Sequence, residues 1–321
     1  REAERVRSEL LILYGLAGRA EVVLAPSGTD VHLIAGQLVG ADGGPALAII
    51  PEETETGSGV PAALAGHQIK GPTPLEPSGA PSSAFAEVEV RAVAARAADG
   101  LPRDLAVVDA EVEALAEAAL SEGRDVLLVL IDVSKTGLVS PSPACAFGLA
   151  ARFPGRLTVL VDGCQLRLSG RTLAAYLDRG AMVAVTGSKF LTGPAFSAAL
   201  MIPRALASKM ATRPAPRGLD AVSSQGDWPE GWRARDALSP AANFGMLLRW
   251  EAALAELRAF ASVSDAQVQA VAASLARVAE EVIAAHGELE PLEVRPLARG
   301  LGPDGDWDAL ASSPVPLMRF A

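Results

Sequence analysis

The sequence predicts an α/β chain: a mostly parallel sheet sandwiched by helices, followed by a short C-terminal α+β part. Three observations predict it. Short apolar runs rich in β-branched residues recur at positions 21–25, 46–50, 125–131, 157–161 and 181–185, and runs of this kind are strands buried on both faces. Amphipathic helical repeats separate them, so the order is βαβαβ and the sheet mostly parallel. The last two runs end in polar residues that would share the carboxyl edge of such a sheet, where ligands bind. With 321 residues, 50% of them hydrophobic, the chain can bury a large core, as one big domain with an appendage or as two. The division expected is a large domain over residues 1–240, then long helices and the start of a small C-terminal domain over residues 241–321.

Residues 1–20 read as a helix and a glycine-containing link. The strand at 21–25 runs straight into Pro26-Ser27-Gly28-Thr29-Asp30, and a helical pattern of Val31, Leu33, Ile34 and Leu38 follows, closed by Gly40. Strand, small-residue turn and helix together present free N–H groups to a phosphate. Gly28 lets the backbone approach, and the Ser27 and Thr29 hydroxyls can donate. Alone, the pattern equally fits a helix cap without a ligand. Asp30 would repel a phosphate and is expected to point away, capping the helix.

The strand at 46–50 leads into a polar turn, Glu52 to Gly59. Residues 72–83 are rich in Pro, Ser and Gly and predict an exposed loop. Residues 86–94 alternate partly, as a strand does. Val112, Leu115, Ala116, Ala119 and Leu120 recur at helical spacing, with Asp109 as the expected cap and Gly123 as the stop. The strand at 125–131 opens into Ser134-Lys135-Thr136, a turn with a solvated lysine or a lip of a binding site. Residues 142–153 form the crossover helix that feeds the next strand.

That strand, 157–161, ends at Asp162, with Gln165 three residues later. A helix at 171–179 is closed by Gly180, and the strand at 181–185 runs into Thr186-Gly187-Ser188-Lys189. A carboxylate at the end of a buried strand can hold a protonated ring nitrogen. A lysine in a dry pocket can offer a free amine for Schiff-base formation. An acid for a pyridinium and a lysine for an aldehyde are what pyridoxal 5′-phosphate (PLP) asks of a protein. An ordinary strand-end acid and a surface lysine are the bland alternative. Lysine is scarce, however: Lys70, Lys135, Lys189 and Lys209 are all there are.

Beyond Lys189, Gly193-Pro194 marks a tight turn, 197–203 a strand, 203–210 a short helix and 212–231 an irregular stretch with Arg213 and Arg217. Arg217 could hold a substrate carboxylate with two donors, or lie on the surface. A long helix is expected from Pro240, capped by Ser239, with Phe244, Leu247, Leu248, Leu254 and Leu257 on one face. Ser264 and Gln267 form a capping box that opens another, striped by Val268, Val271, Leu275, Val278 and Val282. Both stripes are expected to be core or a dimer seam. A strand begins at Leu289 and is expected to reach Leu297.

Val161-Asp162-Gly163-Cys164-Gln165 followed by Thr186-Gly187-Ser188-Lys189 resembles the fold type I PLP-dependent enzymes, in particular the class V aminotransferase and cysteine desulfurase branch. The resemblance covers roughly residues 22–203. It implies a seven-stranded-type sheet, with the strand at 197–203 antiparallel, and residues 1–240 as the PLP-binding domain. It implies Asp162 on the pyridine nitrogen, Gln165 on the ring oxygen and Lys189 as the Schiff-base lysine, the two catalytic residues being Lys189 and Asp162. Thr186 and Ser188, with Ser27, Gly28 and Thr29, fall near the phosphate, and Ser134, Lys135 and Thr136 on the substrate side. Relatives carry an aromatic over the cofactor ring near residues 55–58. None stands there in this sequence, which leaves Thr56, Gly57, Ser58 or His67 to cover the ring. Relatives also hold the substrate carboxylate with a C-terminal Arg, for which Arg295, Arg299 and Arg319 are candidates. Cys164 is expected to pack, and no Cys follows it, which argues against desulfurase chemistry.

The reaction implied is transamination of an amino acid or amine, with elimination or C–C or C–S lysis sharing the first steps. A silent PLP-fold binding protein and a nucleotide-binding α/β protein are the competing readings, and a homodimer is the expected assembly. Net charge is −10 with no basic stripe, so nucleic acid and anionic membranes are poor partners. Two cysteines, no long apolar run and a charged start, Arg1 to Arg5, predict no disulfide framework, no transmembrane helix, no signal peptide and a cytoplasmic location. Three scattered His give no metal-ligand spacing.

Overall fold

The computed structural model describes residues 1–40, 46–67, 85–292, 297, 299–301 and 317–320. Its elements, in chain order, are α1 (Glu2–Leu13), β1 (Ala20–Ala25), α2 (Gly28–Val39), β2 (Ala46–Pro51), α3 (Val60–Leu64), β3 (Val88–Val93), α4 (Leu105–Ser121), β4 (Asp125–Asp132), β5 (Val139–Ser140) and α5 (Pro143–Arg152). There follow β6 (Leu157–Asp162), α6 (Gly170–Asp178), β7 (Met182–Thr186), β8 (Ala198–Pro203), α7 (Arg204–Met210), three 3₁₀ turns, α8 (Phe244–Phe260), α9 (Asp265–Ala285), β9 (Leu289–Leu292) and β10 (Leu317–Phe320).

Seven strands lie in the order β1-β8-β7-β6-β4-β2-β3, and the two-residue β5 pairs antiparallel with the end of β4. The steps from β3 through β2, β4 and β6 to β7 are parallel. β8 runs against both its neighbours, because the short link from β7 allows a hairpin and no crossover. β1 therefore points the same way as β7. The carboxyl ends of β1, β2, β4, β6 and β7 all open on one edge. The mostly parallel sheet expected from the sequence is the sheet observed.

Alternation along each strand divides the core in two. Val126, Leu128 and Leu130 of β4 and Leu157, Val159 and Val161 of β6 pack with α1, α4, α5, α6 and α8. Leu127, Val129 and Leu160, with Met182 and Ala184, pack with α2, α3 and α7. Side chains two apart share a face, so Asp162 follows Leu160 toward α2, and Asp132 follows Leu130 toward α6. On its own side Asp132 is fully buried and accepts two bonds from Arg299, at 2.6 and 2.9 Å, and one from the Tyr176 hydroxyl. Arg299, a candidate for a substrate carboxylate, is spent on this pair. Arg295 and the Arg319 side chain lie outside the described residues, as does the loop expected at 72–83.

Several expected boundaries differ. α4 begins four residues earlier than Asp109. Asp104 is its cap and accepts from the Ala106 N–H, while Asp109 sits within the helix and accepts from the Ser142 N–H and hydroxyl at the start of α5. α8 begins at Phe244, capped by Asn243, because the Ser239 carbonyl is held by the Gln225 N–H in a bridge to Ser224. The capping box at Ser264 is as expected. Leu254 and Leu257 are buried, but Phe244 and Leu248 on α8 and Val271, Leu275, Val278 and Val282 on α9 are exposed, so much of the two stripes faces outward in the single chain. α3 and β5 had no signal in the sequence. β9 pairs antiparallel with β10 in a separate two-stranded sheet. Among the described residues no helix is long and apolar enough to cross a membrane.

Arg299→Met should destabilise the chain by about 3–5 kcal/mol, the cost of leaving a buried carboxylate unpaired, read as a lower urea midpoint. A loss under ~1 kcal/mol, the range of an exposed pair, would show that the Asp132 pair is not buried.

Candidate active site

A cavity of about 380 Å³ opens at the carboxyl edge of the sheet, within the usual size range of ligand pockets. Five strand exits and the hairpin into β8 supply its walls. Ser27, Gly28, Thr29, Asp162, Gln165, Thr186, Ser188 and Lys189 all line it. The topology thus gathers every cofactor-side residue expected from the sequence, from Ser27 to Lys189, into one hollow.

Ser27 is the N-cap of α2. Its hydroxyl accepts from the Asp30 N–H at 3.2 Å and donates to the Asp30 carboxylate at 2.6 Å. Asp30 does not line the cavity; it points away as expected, but the cap is Ser27, and Asp30 in the first turn of α2 accepts the Ser27 hydroxyl, with burial pushing its carboxyl up against the pull of those bonds. The first-turn N–H groups of α2 have no partner inside the helix. With the Thr29 hydroxyl they make a place for an anion. A Cβ on Gly28 would come within 2.9 Å of the Cys164 sulfur, so this turn and the turn after β6 touch only because residue 28 has no side chain.

Asp162 is 5% exposed, and Oδ1 accepts from the Cys164 N–H at 3.1 Å. Burial alone would raise its carboxyl. The charge of His32, then hydrogen bonding, outweighs burial and holds it below the usual carboxylate range. Cys164 is held the other way: burial, then the charge of Asp162, keeps its thiol well above the ordinary range, so it is no thiolate nucleophile. The Thr186 hydroxyl donates to the Cys164 carbonyl at 2.7 Å and ties β7's exit to β6's. Lys189 is exposed on the cavity.

α8 holds the lysine loop in place. A Cβ on Gly187 would meet Ala253 Cβ at 2.6 Å and Ser197 Oγ at 2.9 Å, and one on Gly193 would meet Ala253 Cβ at 2.8 Å. The Gly193 N–H donates to the Gly187 carbonyl and the Gly187 N–H to Ser197. The two glycines let the helix backbone close on the loop.

The substrate-side residues divide. Lys135 lines the cavity and is exposed. Ser134 and Thr136 do not line it; both hydroxyls donate to Glu55, which also accepts from Arg96 Nε at 2.8 Å. They are turned inward because Glu55, 1% exposed, needs every donor within reach. Arg217 is exposed and away from the cavity, and so is His67. Thr56, Gly57 and Ser58 do line it, and the Thr56 hydroxyl is buried without a hydrogen-bond partner. Phe196 stands at the mouth, 58% exposed, at φ +69°, with the Arg249 guanidinium 5.8 Å from its ring centroid.

Two titratable lining residues went unread in the sequence, Glu55 and His32. His32 is 1% exposed and lies behind Asp162. A signal existed for it: one ring-bearing polar residue within an apolar helix, four residues after Gly28 and so on Gly28's face of the helix.

No family model matches the chain, and no curated protein matches it. Solved structures do. A cysteine desulfurase from Escherichia coli superposes with a TM-score of 0.56 at 18% identity, covering 90% of this chain and 64% of that one. A sphingosine-1-phosphate lyase from Burkholderia pseudomallei gives 0.53 at 17% identity, with coverages of 90% and 62%. A serine palmitoyltransferase from S. paucimobilis with PLP and myriocin bound gives 0.53 at 12% identity, with coverages of 92% and 64%. The chain thus spans a little under two thirds of the length of these structures.

Gly187→Ala should cost about 1–3 kcal/mol through overpacking, and Ala253→Gly in the same chain should return part of it. A double-mutant cycle by chemical denaturation checks this: strictly additive losses would mean that α8 does not clamp the loop. The chain has the fold of the fold type I PLP-dependent enzymes.

Proposed function

We propose that the chain is a PLP-dependent enzyme acting on an amino acid or amine, with transamination as its reaction and lyase chemistry as the alternative outcome. The observation that carries this is the meeting of Asp162, Lys189 and the N-terminus of α2 in one cavity. The donor set fits the cofactor. A carboxylate held ionised is available to a ring nitrogen, unpaired N–H groups and hydroxyls to a phosphate, and an amine to an aldehyde. The buried Thr56 hydroxyl lacks a partner that a ligand would supply.

PLP, when bound, supplies an electron sink conjugated to the substrate Cα. The chain's own residues do the rest. Asp162 keeps a proton on the ring nitrogen by staying anionic. The Gly28 and Thr29 N–H groups and the Thr29 and Ser188 hydroxyls would hold the phosphate and Gln165 would serve the ring oxygen, while the Ser27 and Thr186 hydroxyls, given to Asp30 and to the Cys164 carbonyl, would line the site without donating. Lys189 would be the point of covalent attachment, and its Nζ, when free, would be the base that takes the substrate Cα proton and the acid that returns it. Lys135, an exposed cation on the same cavity, is placed to meet a substrate carboxylate.

Adding PLP to the purified chain should produce a visible absorbance band, and borohydride should fix the cofactor on the Lys189 peptide. Lys189→Ala should keep the far-UV CD spectrum and lose the fixed adduct; an adduct retained in that variant refutes the assignment. A single turnover with an amino acid and no acceptor should release one equivalent of 2-oxo acid, whereas a cleaved side chain would make the reaction a lyase.

A homodimer belongs to the same reading. Phe196 at the cavity mouth and Phe244 and Leu248 on α8 are exposed apolar residues that a second copy would cover. Light scattering should give twice the 33.0 kDa chain mass; a fully active monomer rules the dimer out.

A further inference from the structure

One side chain joins the phosphate turn to Asp162. His32 Nδ1 lies 2.7 Å from the Gly28 carbonyl oxygen, and its Nε2 lies 3.4 Å from Asp162 Oδ2. The second contact is an ion-pair distance, and Nε2 has no aligned hydrogen-bond partner. A carbonyl only accepts, so Nδ1 carries a proton, and a neutral imidazole has no second one. Nε2 would then set a lone pair against a buried carboxylate. The contact is stable only with a further proton in the pair. Asp162 Oδ1 already accepts from the Cys164 N–H, a bond that favours the ionised carboxylate. The proton therefore sits on His32.

The other partner of that imidazolium matters as much. The Gly28 carbonyl belongs to the same peptide unit as the Thr29 N–H, a first-turn donor of α2. Accepting from a cation polarises that unit and makes its N–H a stronger donor. An anion at the turn would in turn favour the charged imidazole.

We propose that His32 is a positioning residue that holds Asp162 ionised and couples that charge to the turn at Ser27 to Thr29, so that an anion on the turn and a protonated ring nitrogen on Asp162 bind cooperatively. The proposal rests on the reading of this cavity as a PLP site.

The charged groups around the imidazole leave it little other compensation. Cys164 is a neutral thiol. Glu55 is paired with Arg96. Asp30, two residues away on the same helix, is bonded to Ser27. Lys135 and Lys189 are exposed on the cavity. Burial pushes the imidazole down, but the nearby charge of Asp162, then the Gly28 carbonyl, bring it above its ordinary value. Asp162 is lowered and His32 raised, so the pair is intact between those two values. It is lost on the acid side as pH falls through that of Asp162 and on the alkaline side as pH rises through that of His32.

The test uses the full chain with ¹⁵N-labelled histidine. There are three His, and His32→Gln identifies the resonance. Without any ligand at pH 6.5, the ordinary imidazole value, His32 should show both ring nitrogens mostly protonated, and Asp162→Asn should convert it to the neutral Nδ1–H form. A neutral His32 in the wild-type chain at that pH overturns the proposal. Ligand titrations form the second arm, using pyridoxal and inorganic phosphate as separate probes. Phosphate should tighten pyridoxal binding by at least about fivefold, the low end of ordinary coupling between sites, and His32→Gln should abolish the enhancement. Equal enhancement in the variant overturns the coupling. If the wild-type chain binds neither PLP nor pyridoxal, the PLP reading fails and the coupling with it, while the nitrogen shifts still decide the ion pair.

Discussion

Asp132 and Asp162 end neighbouring parallel strands, Ile131 standing beside Asp162 in register. Yet they face opposite layers, because side chains alternate and the two acids differ by one step of the pleat. Most of the molecule's chemistry depends on that offset. Asp162 falls on the α2 side, at the floor of the cavity. Asp132 falls on the α6 side, under Tyr176 and the C-terminal segment. A one-residue slip between β4 and β6 would pair the two acids and put both on one face of the sheet. The continuous buried runs of β4 and β6, packed on both faces, fix the register against it.

The two acids solve the same problem in different ways. A buried carboxylate needs a counter-charge and its lone pairs filled. Asp132 is given a guanidinium, which cannot lose its proton, bound through two nitrogens with a phenol completing the set. Nothing is left over for a ligand. Asp162 is given an imidazole at 3.4 Å and one backbone N–H. Its counter-charge is titratable and lies to one side, and the rest of the carboxylate faces the cavity. One arrangement is suited to holding a chain segment down, the other to holding a proton on something else.

The sheet and the residues that line the cavity at its carboxyl edge were legible in the sequence because their signals are local. The strands at 157–161 and 181–185, the turn at Ser27 to Thr29 and the capping box at Ser264 each declare themselves within a few residues, and the parallel topology then carries their ends to one edge. What was illegible depends on partners far away in the chain. Asp109 reads as a cap until Ser142 claims it. Ser239 reads as a cap until Gln225 takes its carbonyl. Arg299 reads as free until Asp132 is seen to bind it. His32 could be noticed, but its role needs Asp162 opposite it.

Glu55 belongs with these. A buried acid on the wall of a cavity suggests a catalytic base until its donors are counted: Arg96, Ser134 and Thr136. Arg96 also donates to the Gly100 and Thr136 carbonyls. One carboxylate thereby ties the exit of β2, the loop after β3 and the loop after β4 into a single unit. The adjoining Thr56 keeps its hydroxyl buried and unpaired at the cavity wall, and Lys135 is held between two anchored neighbours with its own side chain free to turn inward. The network is costly to bury unless complete, and its completeness is what makes this wall a fixed surface. A rigid polar wall, an ionised floor at Asp162 and a lysine loop clamped by α8 leave the exposed side chains of Lys135, Lys189 and Phe196 as the parts of the cavity able to adjust to a ligand.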